Sequence, residues 1–177
     1  MRRICVFLSG NVTDAKYAEP AKAFARLMVK NGYGLVWGGT NLGLMKIVCT
    51  TVQEEGGHLS GVTMELLKDS RKLDADEMTI APDLSERKKL LLEKSDAIVV
   101  MVGGIGTLDE VTEVLELKKH GAHNKPIVFL NTDDFFGGLR QQLERMESEG
   151  FLPKKIADLA CFADTPEEAI EYIERNL

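Results

Sequence analysis

A chain of 177 residues with 44% hydrophobic and 28% charged content has the size and composition of a globular protein with a sizeable core, and we expect a single domain over residues 1–177. The formal net charge of −6 argues against duplex DNA or RNA as the main partner, because such binders usually present a basic face. No apolar stretch approaches the length of a membrane span, so we expect no membrane partner either.

The cysteines and histidines form neither a disulfide pattern nor a metal-site pattern. Cys5, Cys49 and Cys161 are odd in number and lie in apolar segments, which is typical of buried free thiols in a reducing cytoplasm. The three histidines lack the spacing of zinc ligands, so we expect no structural metal. The apolar run near the start is too short for a signal peptide and is predicted to be the first strand.

Short apolar segments alternate with amphipathic segments along the chain. The predicted strands are Arg3–Leu8, Tyr33–Trp37, His58–Thr63, Thr79–Ala81, Ala97–Val102, Pro126–Leu130 and Leu159–Phe162. The predicted helices are Tyr17–Asn31, a helix from the turn at 38–43 to about Glu55, Leu84–Lys94, a helix from Thr107 to His120, Phe135–Glu149, and a terminal helix capped by Thr165 with Pro166 at its first position. The polar segment Met64–Met78 is predicted to be a solvated connection. This alternation predicts an α/β fold, a three-layer sandwich with a mostly parallel sheet and helices on both faces.

Three glycines, Gly103, Gly104 and Gly106, separate the apolar run Ala97–Val102 from the following helix. A strand, a glycine turn and a helix N-terminus in this order favour phosphate binding, because the first helical N–H groups have no partner within the helix. The turn alone is a weak signal, since α/β proteins also use such turns for tight packing. The turns near Ser9 and Gly38 are expected to meet this one at the carboxyl ends of the strands.

Two carboxylates follow the glycine turn on one face of the predicted helix. Thr107 and Glu110 have the spacing of a capping box, and this structural role is the simpler interpretation of Glu110. The functional interpretation is a carboxylate held beside the ribose of a nucleotide. Glu113, about one turn further, is expected either in solvent or at the same ligand.

Arg87 and Lys88 belong to a basic cluster near the start of the helix that leads into the glycine-turn strand. Such clusters are mostly solvated faces of helices. The position near the sheet edge would also allow one of these side chains to reach an anionic ligand, with arginine preferred for bidentate contacts.

The first turn, Ser9-Gly10-Asn11, lacks the dinucleotide fingerprint, which disfavours a dehydrogenase, and no P-loop lysine or nucleophile elbow occurs.

Several motifs occur together at fixed spacing. Glu86-Arg87-Lys88 is followed by Ser95-Asp96-Ala97 and by Gly-Gly-x-Gly-Thr-x-x-Glu over Gly103–Glu110. With Leu35–Gly39, Gly43-Leu44-Met45 and His120–Pro126, these motifs resemble the LOG (Lonely guy) family of cytokinin riboside 5′-monophosphate phosphoribohydrolases, long mislabelled as lysine decarboxylases. The resemblance extends over almost the whole chain.

This resemblance implies a Rossmann-like fold, a homodimer or larger assembly, and no metal or redox cofactor. It also implies hydrolysis of the N-glycosidic bond of a nucleoside 5′-monophosphate, N6-modified AMP or AMP itself, to the free base and ribose 5-phosphate. Arg87 and Glu110 would be the catalytic pair. The residues expected to bind substrate are Lys88, Gly103, Gly104, Ile105, Gly106, Thr107, Gly39, Ser9 and Glu113.

Two further interpretations stay open at this stage. Val102 stands where the family usually has proline and Thr40 where a glycine is common, and the first turn also differs. The altered first turn and Thr40 favour a carrier that binds a nucleotide or molybdenum cofactor without turnover. In a structural interpretation, Thr107–Glu110 is only a helix cap. Lysine decarboxylation is disfavoured, because nothing marks a lysine for a pyridoxal-phosphate Schiff base.

Overall fold

The computed structural model describes residues 1–11 and 14–177, which form one parallel sheet of seven strands covered by helices. The strands are β1 (Arg3–Phe7), β2 (Gly34–Trp37), β3 (Leu59–Met64), β4 (Glu77–Ala81), β5 (Ala97–Val100), β6 (Ile127–Leu130) and β7 (Cys161–Ala163). Their order across the sheet is β4-β3-β2-β1-β5-β6-β7, and every neighbouring pair is parallel. The predicted parallel sheet is therefore confirmed.

Helices cover both faces of the sheet. They are α1 (Ala15–Lys30), α2 (Gly43–Glu54), α3 (Leu84–Glu93), α4 (Ile105–Lys119), α5 (Gly137–Ser148), α6 (Ile156–Leu159) and α7 (Pro166–Asn176). Helices α1, α2 and α7 pack on one face, where β1 contributes Ile4 and Val6. Helices α3, α4, α5 and α6 pack on the other, where β1 contributes Cys5 and Phe7. This is the predicted Rossmann-like three-layer sandwich, and its central strands are apolar because both of their faces are buried.

The helix ends follow local capping chemistry. The Thr165 side chain accepts a hydrogen bond from the backbone N–H of Glu168, and Pro166 occupies the first position of α7, as predicted. Asp83 caps α3 in the same way by accepting from the N–H of Glu86 at 2.9 Å. This cap fixes where α3 begins, one turn before Arg87.

Two predicted segments are wrong in part. Leu159, predicted to begin a strand, ends the short helix α6, and β7 begins only at Cys161. The predicted connection Met64–Met78 contains a 3₁₀ helix at Glu65–Ser70, and its Lys72 is buried rather than solvated. Polarity alone did not reveal this packing, because the lysine stem can lie along apolar surface.

The position of β1 between β2 and β5 brings three turns to one edge of the sheet. The backbone N–H of Ser9 donates to the carbonyl of Val102 at 3.1 Å, and the N–H of Met45 donates to the carbonyl of Ser9 at 3.1 Å. The turns after β1, β2 and β5 thus meet at the carboxyl ends of the strands, as predicted.

Within residues 1–11 and 14–177, no helix has the length and apolar character needed to cross a membrane.

Candidate functional site

A buried ion pair lies below this edge of the sheet. Arg87 of α3 donates from Nη1 to Oε1 of Glu110 in α4 at 2.7 Å, and the two residues are 6% and 7% exposed. Arg87 also donates from Nε to the carbonyl oxygen of Val62 at 3.1 Å. The guanidinium is therefore fixed between the end of β3 and the first half of α4. The interpretation of Arg87 as part of a solvated basic face is wrong.

Gly38, which directly follows β2, makes room for this guanidinium. A Cβ atom at Gly38 would overlap Nη2 of Arg87 and would lie 3.2 Å from Cε of Met45. The ion pair thus requires a residue without a side chain at the end of β2. The glycine turn was visible in the sequence, but nothing in the sequence connected it with Arg87.

Burial sets the electrostatics of the pair. Loss of hydration raises the pKa of Glu110 above its ordinary value, and the neighbouring charge and hydrogen bond of Arg87 oppose that rise. Cys5 of β1 is fully buried on the same face of the sheet, and burial, followed by the charge of Glu110, raises the pKa of its thiol. Glu110 therefore lies in a poorly hydrated place, where a carboxylate is a stronger proton acceptor than in water.

The N-terminus of α4 opens toward solvent beside this pair. Among the residues that the structure describes, no side chain caps the helix, whose N-cap residue is Gly104. Gly104 and Gly106 are exposed, and a Cβ at either would meet no described atom within 4 Å. Ile105 between them is 82% exposed. Free N–H groups and the positive end of the helix dipole thus face open space, which suits an anion such as phosphate.

Thr107 does not open the helix, so the predicted start of α4 and the capping-box interpretation of Glu110 are wrong. The helix begins at Ile105, and the Glu110 carboxylate accepts from Arg87 instead of from the helix start. Thr107 is 4% exposed and packs against Gly103, where a Cβ would overlap the Thr107 hydroxyl oxygen. Gly104 adopts an extended N-cap conformation, and this allows the helix to begin earlier than the threonine suggested.

Lys88 forms a second link between α3 and α4. Its ammonium group lies 3.0 Å from a carboxylate oxygen of Asp109 and also pairs with Glu113. The hydrogen bond with Glu113, above all, raises the pKa of Lys88. Glu113 is therefore not a freely solvated side chain, and Asp109 is a partner that sequence reasoning missed.

The remaining predicted residues lie in the turns of the same edge. The Ser9 hydroxyl accepts from the N–H of Asn11 at 3.0 Å. Gly39 has φ +75, a conformation that favours glycine, and its carbonyl accepts from the N–H of Lys72 at 2.9 Å. Thr63 of β3 packs behind Gly39, and its buried hydroxyl has no partner in the described part of the chain. No sequence pattern indicated this orphaned hydroxyl.

Comparison with known proteins identifies relatives over nearly the full chain. The family model described as possible lysine decarboxylase matches residues 45–173. A cytokinin riboside 5′-monophosphate phosphoribohydrolase from Arabidopsis thaliana is 31% identical over 98% of this chain and 82% of its own. A probable enzyme of the same name from Oryza sativa subsp. japonica is 32% identical over 98% of this chain and 72% of its own.

Solved structures share the fold. The molybdenum cofactor binding protein from Rippkaea orientalis superposes with a TM-score of 0.74 at 23% identity, over 98% of this chain and 96% of its own. The molybdenum cofactor carrier protein from Chlamydomonas reinhardtii superposes with a TM-score of 0.74 at 24% identity, over the same shares. At these identities the likeness concerns the architecture alone.

We expect Glu110→Ala to destabilise the protein by roughly 3–5 kcal/mol, because it leaves the Arg87 guanidinium buried without a counter-charge. Glu110→Gln should cost clearly less, because its amide oxygen can still accept the hydrogen bond from Arg87. Urea denaturation of the three proteins measures the difference. Near-wild-type stability of both variants would show that the ion pair does not hold this part of the fold.

We expect Gly38→Ala to displace the Arg87 side chain while the sheet remains folded, because the overlapping atom is the far end of a flexible side chain. Gly138→Ala in α5 is the matched control, since its added Cβ would meet no described atom within 4 Å. A crystal structure of the Gly38→Ala variant, with circular dichroism of both, checks this. An unmoved Arg87–Glu110 pair would contradict the assigned role of Gly38.

Proposed function

Since the chain belongs to the LOG family, whose model is described as possible lysine decarboxylase, we propose that it hydrolyses the N-glycosidic bond of a nucleoside 5′-monophosphate. One observation carries the proposal: the buried Arg87–Glu110 pair lies about one and a half turns along α4 from an uncapped, glycine-lined helix N-terminus. The proposed phosphate site at the start of α4 and the Glu110 carboxylate, whose pKa is raised, are thus separated by about the length of a ribose.

The phosphate is the anchor in this proposal. The backbone N–H groups at the start of α4, from Gly104 to Thr107, bind the 5′-phosphate, and Gly103 lets Thr107 pack closely below them. The exposed backbone of Gly104 and Gly106 permits close approach of the oxygens. Binding energy gained at the phosphate then holds the anomeric carbon beside Glu110.

Glu110 acts on the ribose. Cleavage of the bond between the anomeric carbon and the base develops positive charge on the sugar, and a carboxylate at that point stabilises it. Glu110 takes a proton from the attacking water, whose oxygen bonds to the anomeric carbon, while the leaving base keeps the bond electrons and takes up a proton. Arg87 keeps Glu110 ionised and fixes the direction of its oxygens. Lys88, held by Asp109 and Glu113, positions the start of α4 and assists substrate binding.

The identity of the base is the part of the substrate that this proposal leaves undefined. The names of the relatives point to an N6-modified adenine, and plain AMP is the simpler candidate of the same class. Ser9 and Gly39, in the turns that flank the pair, are the proposed contacts on that side. The homodimer implied by the family stays a prediction.

The second candidate is a carrier that binds a phosphate-bearing cofactor without turnover. The observation that favours it is the open helix N-terminus, which can bind any phosphate whether or not chemistry follows. The departures at Val102 and Thr40 lie in the turns beside that site. Binding without product release would distinguish this function from the hydrolase.

We expect the wild-type protein to release free base and ribose 5-phosphate from AMP or from isopentenyl-AMP, and Glu110→Gln to reduce the rate by at least about a hundredfold. Chromatographic assay of base and sugar phosphate measures both products. Because the ionised form of Glu110 is the active one, the rate should fall as the pH decreases through a pKa above the ordinary glutamate value. A Glu110→Gln variant within a few-fold of wild type would remove Glu110 from the reaction.

We expect AMP and ribose 5-phosphate to raise the melting temperature of the protein, whereas adenosine leaves it almost unchanged, because the phosphate supplies most of the binding free energy. Differential scanning fluorimetry at equal ligand concentrations measures the shifts. Stabilisation by phosphorylated ligands without release of base would favour the carrier. Equal shifts with AMP and adenosine would argue against the phosphate anchor.

A further inference from the structure

A polar cavity of about 360 Å³ lies at the opposite edge of the sheet from the proposed active site. It lies between the last turn of α4, helix α6, helix α7 and the segment that leads into β6. The polar residues that line it are Lys118, Asn124, Asp158, Tyr172 and Asn176. Its volume is within the range of small-molecule sites, and nothing in the proposed reaction uses it.

Lys118 is the unusual member of this set. It is 6% exposed, and in the part of the chain that the structure describes its ammonium group has no ion pair and donates no hydrogen bond. The adjacent Lys119 behaves ordinarily, since it pairs with Glu116 at 2.6 Å within the same helix. The ammonium nitrogen is not fully enclosed, so it opens onto the cavity rather than into the core. An ammonium group on so little-exposed a residue normally has a counter-charge nearby.

The charges around Lys118 are mostly positive. Lys154 donates from its ammonium group to the backbone carbonyl of Lys118 at 3.3 Å, which brings a second cation to the end of α4. Burial and then Lys154 lower the pKa of Lys118, and Asp158 alone opposes them. Burial lowers the pKa of His123, and the charges of Lys125 and then Lys118 lower it further. A bound anion would relieve this repulsion.

The other walls offer hydrogen-bond donors. Asn176 uses one amide hydrogen in a bond of 2.7 Å to the carbonyl of Tyr172 and has a second to offer. The Tyr172 hydroxyl is protonated at neutral pH and can donate, and burial raises its pKa further. Asn124 adds an amide to the same cavity. One ammonium group with several neutral donors is the environment that an oxyanion requires.

We propose that this cavity binds a small oxyanion, a phosphate or carboxylate group of a metabolite-sized ligand, through the ammonium group of Lys118. The site is separate from the helix N-terminus that anchors the nucleotide phosphate, because it lies at the other end of α4. Asp158 limits the positive charge and disfavours large polyanions. Its occupant contacts α4, α6 and α7 together, so binding stabilises the packing of these helices.

The test compares Lys118→Met with the matched control Lys119→Met, and its probes are inorganic phosphate and malonate. Lysines are ¹³C-methylated, and the Lys118 signal is identified by its absence from Lys118→Arg, since arginine is not methylated. We expect phosphate or malonate to shift the Lys118 signal and raise the pH at which it titrates. Lys118→Met should bind the effective probe at least tenfold more weakly than Lys119→Met.

The outcomes separate the ligand classes. A response to phosphate alone assigns a phosphorylated ligand, and a response to malonate alone assigns a carboxylate. An unchanged Lys118 signal with both probes, or equal affinities of the two methionine variants, would overturn the proposal. Failure of nucleotide hydrolysis would leave these results untouched, because the start of α4 is intact in both variants.

Discussion

The buried pair of Arg87 and Glu110 is the constraint on which the arrangement of the site depends. It joins α3 to α4 beneath the sheet edge, and it needs the carbonyl of Val62 and the bare backbone of Gly38 to hold the guanidinium in place. A buried ion pair is a weak way to gain stability, because removing two charges from water costs about as much as their attraction returns. Its presence here is better explained by the proposed reaction, in which a desolvated carboxylate acts beside the proposed phosphate site.

The fold could be predicted from the sequence because it depends on local composition. The site could be predicted only in part, because it depends on contacts between residues distant in sequence. Strands such as Ala97–Val100 are continuous apolar runs, and that composition is enough to predict a parallel sheet with its turns at one edge. The residues Arg87 and Glu110 were selected by resemblance to a family, since spacing alone favoured a solvated cluster and a helix cap. Their burial depends on packing between two helices, which no local pattern encodes.

The errors have a common physical origin. Thr107 and Glu110 have the spacing of a capping box, but tertiary contacts with Gly103 and Arg87 take both side chains. Lys72 lies in a polar segment predicted to be solvated, yet it is buried, and its backbone N–H donates to the carbonyl of Gly39, which is distant in sequence. In each case a local preference exists and a distant contact decides what the side chain does.

The central place of β1 has a consequence for how the protein reaches its native state. Its first residues pair with β5 through contacts about ninety positions apart, such as the bond from the N–H of Arg3 to Asp96 at 2.7 Å. A growing chain can assemble β1 to β4 and α3 before α4 is synthesised. During that interval Arg87 lacks Glu110, its partner in the ion pair. Docking of α4, the first helix after β5, supplies Glu110 as the counter-charge of Arg87. The order of synthesis thus leaves an electrostatic reason for the two halves to join.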